Sequence, residues 1–109
     1  MIPPTITRSD ALDYGDLWAI IQPAVWTCGY DLAELRGAKK RNRRLDDLRF
    51  HSCWLLAQAG YSQYVIADFL FVDQALVQKR LASYTTNRRA AFEATLEELR
   101  LQRERERAR

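Results

Sequence analysis

The sequence has few of the residues that interrupt helices, with four glycines and three prolines among 109 residues. An all-β sandwich or barrel needs such residues at frequent turns, so their scarcity argues against that class. Leu, Ala, Arg, Glu and Gln, which favour helices, are frequent instead. A chain of this length also has room for only one modest core, which excludes a multi-domain enzyme. The composition predicts a small all-α domain.

Cysteine and histidine are also scarce, with two cysteines and one histidine, and their positions argue against a catalytic or metal site. On a helix His51 and Cys53, two residues apart, point about 200° from each other. Together with Cys28 they do not form a four-ligand zinc pattern. The sequence has no phosphate-cradling glycine loop, and no spacing indicates a Ser/His/Asp set. We therefore expect no metal, no cofactor and no enzymatic activity.

Long hydrophobic runs are absent, although 48% of the residues are hydrophobic, which is enough to form a core. No segment has the length and hydrophobicity of a membrane span or the pattern of a secretion signal. The two cysteines do not form a spaced disulfide framework. These features predict a reduced, cytoplasmic protein with no membrane association.

Positive charge is concentrated in one short segment. The net charge is +3 over the whole chain, but residues 1–35 carry −4, residues 36–49 carry +5 and residues 50–109 carry +2. A basic patch beside a compact domain suggests a polyanionic partner. The acidic N-terminal third leaves open a protein partner as well.

The first half of the chain predicts an extended arm and several helices. Residues 1–8, which include Pro3 and Pro4, show no periodicity and should form the arm. Helical spacing follows over residues 12–28, where Gly15 and Pro23 should kink or split the helix into two pieces. A short helix is expected over residues 31–37, with Asp31 as its cap and Gly37 at its end. The basic run 39–44 is expected to be a loop or a fraying helix start.

The clearest helix covers residues 45–59. At 100° per residue, one face of this helix carries mostly apolar residues and should lie in the core: Leu45, Leu48, Ser52, Leu55, Leu56 and Ala59. Phe50 and Trp54 form a second stripe on roughly the opposite side. A helix covered on two sides should be the central one.

Two short helices should follow, over residues 63–70 with Ser62 as the cap and over residues 74–84 with Asp73 as the cap. Their expected inward residues are Val65, Ile66, Phe69 and Leu70 on the first helix, and Leu76, Val77, Leu81 and Tyr84 on the second. Helices joined by so short a turn cross steeply, as in a helix-turn-helix. Phe71 stands where many such turns hold a glycine.

The second helix of this pair has an outward face of small or polar side chains, formed by Gln74, Ala75, Gln78, Lys79 and Ala82. Such a face lets a helix enter the major groove and bond to base edges. We therefore expect Gln74, Ala75, Gln78 and Lys79 to read DNA bases.

A last helix is expected from about Arg88, within a C-terminal segment of residues 87–109. Its apolar stripe, formed by Phe92, Leu96 and Leu99, is too short for a coiled coil. This stripe could cover Phe50 and Trp54 of its own chain or meet a second copy on DNA. We expect a monomer in free solution. The alternating charges after Leu101 suit a solvated helix or a disordered end.

From Ile20 to Tyr84 the chain resembles the C-terminal DNA-binding domain of the bacterial replication initiator DnaA. The resemblance is carried by Ile20, Ile21 and Val25, by the run Glu34-Leu35-Arg36-Gly37, by the basic residues 39–44 with Arg49, and by Ile66, Ala67 and Val77. It implies a helix-turn-helix domain over about residues 9–86. It also implies phosphate contacts from Arg36, Lys39, Lys40, Arg41, Arg43, Arg44, Arg49 and Ser62.

The initiator's nucleotide-binding module has no counterpart in this sequence. A stand-alone domain of this type resembles small regulators of phage genes or gene-transfer-agent genes. We therefore expect a nucleoid-associated protein that binds specific double-stranded DNA and regulates transcription. The alternative is an interaction protein that binds RNA polymerase, DnaA or another regulator through the same helical scaffold.

Overall fold

The computed structural model describes residues 14–37 and 42–108. Within these residues the chain forms α1 (Gly15–Thr27), α2 (Leu32–Arg36), α3 (Arg43–Gln58), α4 (Gln63–Leu70), α5 (Gln74–Ser83) and α6 (Thr86–Arg107). No strand occurs in this part of the chain, and the predicted all-α fold is confirmed. The expected N-terminal arm lies outside the described residues, as do Lys39, Lys40 and Arg41.

The prediction that Gly15 and Pro23 would split the first helix is wrong, because α1 is continuous from Gly15 to Thr27. Gly15 begins the helix and so does not interrupt it. Pro23 has no N–H group, so the carbonyl group of Ala19 lacks its helical donor. Both residues are exposed. On the other side, the stripe of Leu17, Ile21 and Val25 is fully buried along the whole length of the helix. This burial stabilises α1 on both sides of the proline.

Side-chain caps begin five of the helices where the sequence can supply them. Each cap accepts a hydrogen bond from the backbone N–H three residues later: Asp31 from Glu34, Asn42 from Leu45, Ser62 from Val65, Asp73 from Leu76, and Thr85 from Arg88. Such caps satisfy N–H groups that have no partner within the helix. The caps predicted at Asp31, Ser62 and Asp73 are confirmed.

Helix α3 is the centre of the fold and packs against the other five helices. Leu45, Leu48, Ser52 and Leu56 are buried on its predicted core face. On the second side, the guanidinium of Arg88 lies 3.9 Å from the ring centre of Phe50, and that of Arg89 lies 4.4 Å from Trp54. The prediction of a central helix covered on two sides is confirmed.

Helix α6 begins at Thr86, two residues before the predicted start, because Thr85 caps it by accepting from the N–H of Arg88. Phe92 is buried, and Leu96 and Leu99 pack against the core of the same chain. The apolar stripe is therefore used within the chain. The charged end remains helical to Arg107, the solvated-helix alternative of the prediction.

His51 forms a buried polar link between α3 and the end of α5. Its Nδ1 lies 2.8 Å from the hydroxyl oxygen of Tyr84, and its ring packs against Trp54 and Phe92. Burial lowers the pKa of His51 below the ordinary value of 6.5. The carboxylate of Glu93 on α6 acts in the opposite direction, and Arg89 reinforces the lowering. The fold thus favours the neutral imidazole.

Acidification should therefore destabilise the protein through this single histidine. Its contribution to the free energy of unfolding is fully present above pH 6.5 and is lost as the pH falls through the lower pKa of the folded state. Urea unfolding between about pH 7 and about pH 5.5 should show stability falling by at most about 1.4 kcal/mol per pH unit. His51→Asn, which keeps a polar atom near Nδ1 but does not titrate, should flatten that dependence. An unchanged slope in this variant would contradict the assignment.

Candidate nucleic-acid interface

The predicted base-reading residues lie on the outer side of α5. Ala75, Gln78 and Lys79 are exposed, and Gln74 is partly exposed with its Nε2 3.4 Å from Oε1 of Gln63. Val77 is the one residue of α5 that is fully buried. Residues 74–83 carry Lys79 and Arg80 and no carboxylate, and the one acidic group at the helix is the capping Asp73, which accepts from the N–H of Leu76. The outer face beyond this cap therefore has a positive charge balance, which suits a negatively charged partner.

Arg43 and Arg44 are exposed in the first turn of α3. They stand on the rim of a groove of about 1010 Å³ between the start of α3 and the first half of α6. The groove is lined by Asn42, Arg43, Arg44, Asp46, Asp47, Asn87, Arg88, Ala91, Phe92 and Thr95. Both arginines also lie at the positive end of the helix dipole. Their position and charge suit contacts to phosphate groups.

Arg49 occupies a different environment from the one that the basic run suggests, because only 6% of the residue is exposed. Its guanidinium donates hydrogen bonds to the backbone carbonyls of Glu34, Leu35 and Gly37 at the end of α2, and to the Asp46 carboxylate. These bonds fasten α2 to α3. A guanidinium used in this way is not presented to an external phosphate, which argues against the phosphate contact expected of Arg49.

Arg36 and Ser62 also make internal contacts. Nε of Arg36 donates to the carbonyl oxygen of Phe69 at 2.7 Å, and its guanidinium carbon lies 4.0 Å from the ring centre of Phe71. Partial burial lowers the pKa of Arg36, whereas nearby acidic groups, including Asp68, raise it. Ser62 Oγ is the cap of α4. Arg36 and Ser62 thus contact other parts of the protein, whereas Arg43 and Arg44 are exposed.

Arg88 is a basic residue at the groove that the sequence interpretation missed. Its Nη2 lies 3.1 Å from Oδ1 of Asp47, and its side chain remains 38% exposed. Asp47 thereby neutralises part of the charge at the groove. The sequence signal for this position is the Thr85 cap, which places Arg88 in the first turn of α6 beside α3.

The two cysteines are reduced and buried, and burial raises the pKa of the Cys28 thiol to about 11. Thiols in this state are poor nucleophiles. In the ranges 14–37 and 42–108, no three His, Cys, Asp or Glu side chains are grouped so that they could hold a metal ion. None of the helices described there is both long and apolar enough to cross a membrane.

No family model, curated protein or solved structure matches this chain. The interpretation of α5 and of the basic residues therefore depends on their geometry, exposure and charge.

Proposed function

We propose that this protein binds specific double-stranded DNA and regulates transcription, with α4 and α5 as a helix-turn-helix and α5 as the helix that reads the major groove. The observation that carries the proposal is the exposed outer face of α5, where Gln78 and Lys79 stand beside the small residues Ala75 and Ala82. Small side chains permit close approach to the groove. Gln and Lys can bond to base edges.

We also propose that the domain is related to the DNA-binding domain of DnaA, and the order of its elements supports this. A short helix capped by Asp31 precedes the basic segment, and the long α3 leads to the pair α4 and α5. Three residues, 71–73, join this pair.

The packing of Phe92 within its own chain favours a monomer in solution. In this proposal the protein acts in the cytoplasm, associated with the nucleoid.

Phosphate contacts come, in this proposal, from Arg43 and Arg44 at the start of α3, together with Lys39, Lys40 and Arg41 of the preceding basic segment. Contacts of this kind position a protein on DNA without reading its sequence. Each one releases counterions, which makes affinity depend on salt. The two groups of residues should therefore be separable by experiment.

Arg43→Ala should weaken binding to all duplexes by about the same factor. It should also reduce the slope of log affinity against log salt by about 0.9, the value for one lost phosphate contact. The measurement is fluorescence anisotropy with a duplex selected from a random library and with a scrambled duplex, each at several salt concentrations. Arg107→Ala removes an exposed arginine near the far end of α6 and should leave the slope unchanged. A wild-type slope for Arg43→Ala would contradict the assignment.

The same titrations test the function as a whole. Tight, salt-sensitive binding to the selected duplex, well above binding to the scrambled one, is the expected result. Absence of binding even at low salt would refute the proposal.

A second candidate function is recognition of a protein such as RNA polymerase or another regulator. The exposed side of α1 favours it, because Trp26 is 53% exposed and its ring centre lies 6.2 Å from that of Trp18. Exposed tryptophans are frequent at protein interfaces. If the folded wild-type protein binds no duplex, recognition of a protein partner remains as the candidate function.

A further inference from the structure

The turn between α4 and α5 contains a backbone conformation that an L-residue rarely adopts. Phe71 has φ 60° and ψ 40°, and it is the one non-glycine residue with positive φ in residues 14–37 and 42–108. The residue is 69% exposed, so its own burial does not compensate for this conformation. Glycine adopts the left-handed region without the steric penalty of a Cβ atom. The conformation therefore has a free-energy cost that contacts around the turn offset.

Arg36 supplies such support from α2. Its Nε donates to the carbonyl oxygen of Phe69, and its guanidinium lies over the Phe71 ring, with 4.0 Å between the guanidinium carbon and the ring centre. The carbonyl oxygen of Ala67 accepts from the N–H groups of Phe71 and Val72. The hydrogen bond from Arg36 thus satisfies a further carbonyl at the end of α4, where a positive charge is also favourable.

The backbone on both sides of Arg36 is itself held in place by hydrogen bonds. Arg49 bonds to the carbonyls of Glu34, Leu35 and Gly37, the residues on both sides of Arg36. A connected series of contacts therefore runs from the central helix α3 through α2 to the turn. The conformation of this turn sets the direction in which α5 leaves α4.

We infer that Arg36 is a positioning residue, which fixes the left-handed turn at Phe71 and thereby the orientation of α5 towards DNA. This inference rests on the proposed function, and it assigns Arg36 a role different from a phosphate contact. The two roles make opposite demands on the side chain. A phosphate contact needs mainly positive charge, whereas support of the turn needs the Nε donor and the planar guanidinium that lysine lacks.

The decisive comparison is between Arg36→Gln and Arg36→Lys in duplex titrations. Both variants should lower the ratio of affinities for the selected and scrambled duplexes by about tenfold, with the salt slope unchanged. Arg43→Gln is the matched control and should change the slope but not the ratio. If Arg36→Lys keeps the wild-type ratio while Arg36→Gln reduces the slope, Arg36 is a phosphate contact and the inference is overturned.

Rescue by glycine distinguishes loss of the turn geometry from general damage to the fold. Phe71→Gly should keep the wild-type ratio, because glycine needs no support to adopt positive φ. The double variant Arg36→Gln with Phe71→Gly should recover most of the ratio that Arg36→Gln loses. Failure of the double variant to recover any of this ratio would count against the inference.

Amide hydrogen exchange tests the turn in the absence of DNA. Arg36→Gln and Arg36→Lys should speed exchange at Phe71 and Val72 by about tenfold or more. The amide of Gly29, which bonds to the carbonyl of Trp26 at the end of α1, is the internal control and should not change. Unchanged exchange at Phe71 and Val72 would overturn the inference. Faster exchange in a protein that binds no duplex would uphold the support of the turn and refute the DNA-binding function.

Discussion

Replacing Arg49 with alanine should lower the free energy of unfolding by about 3 kcal/mol, because it removes a buried charged group that bonds to three backbone carbonyls. The carbonyls of Glu34, Leu35 and Gly37 would lose their donor at the junction of α2 and α3. Domains of this size are typically stable by about 5 to 15 kcal/mol, so the loss should be large. Urea unfolding followed by circular dichroism measures it.

Arg43→Ala is the matched control, since Arg43 lies on the same helix but is exposed. Its effect on stability should stay within about 0.5 kcal/mol, as for most surface substitutions. Arg49→Lys should be intermediate between wild type and Arg49→Ala, because an ammonium keeps the charge but cannot match the planar arrangement of the guanidinium donors. If Arg49→Ala unfolds at the same urea concentration as wild type, the structural role assigned to Arg49 is wrong.

The caps explain why much of the helix layout could be predicted from sequence. Asp31, Ser62 and Asp73 each act on a backbone N–H only three residues away, so their effect depends on local sequence alone. The alternation of buried and exposed residues along α3 is similarly local. Interactions of this range leave a direct mark in the residue pattern, and α4 and its cap follow the prediction residue for residue.

The contacts of Arg36 and Arg49 could not be predicted in the same way, because their partners lie far along the chain. The carbonyl that Arg36 binds is 33 residues away, and those that Arg49 binds are 12 to 15 residues away. In the sequence both arginines belong to a basic segment that is typical of an exposed surface. Only the packing of α2 between α3 and the turn after α4 distinguishes them from Arg43 and Arg44.

Pro23 shows the opposite case, in which a strong local signal is overridden. Proline inside a helix removes a hydrogen bond, and the local pattern therefore predicts a break. Leu17, Ile21 and Val25 are buried on the opposite side of α1, before and after the proline. Burial of such side chains is worth about 1.5 to 3 kcal/mol each, which together exceeds the cost of about 3 kcal/mol for the proline.

Gln78→Ala should reduce affinity for the selected duplex by about 1 to 3 kcal/mol and affect the scrambled duplex much less. Gln78 is exposed on the outer face of α5, and its side-chain amide can pair with the donor and acceptor of adenine in the major groove. The lost specificity should therefore fall on one A·T position, which selection of new duplexes with the variant would reveal. The salt slope should stay at the wild-type value, because no phosphate contact is removed.

Gln102→Ala is the control for Gln78→Ala, since Gln102 is an exposed glutamine on a helix far along the chain from α5. It should leave both affinities unchanged. Lys79→Ala should combine a loss of specificity with a small loss of salt dependence if the ammonium contacts both a base and the backbone. Equal losses on selected and scrambled duplexes for Gln78→Ala would show that α5 does not read the sequence. The reading role would then move to the basic segment around Arg43 or to the N-terminal residues.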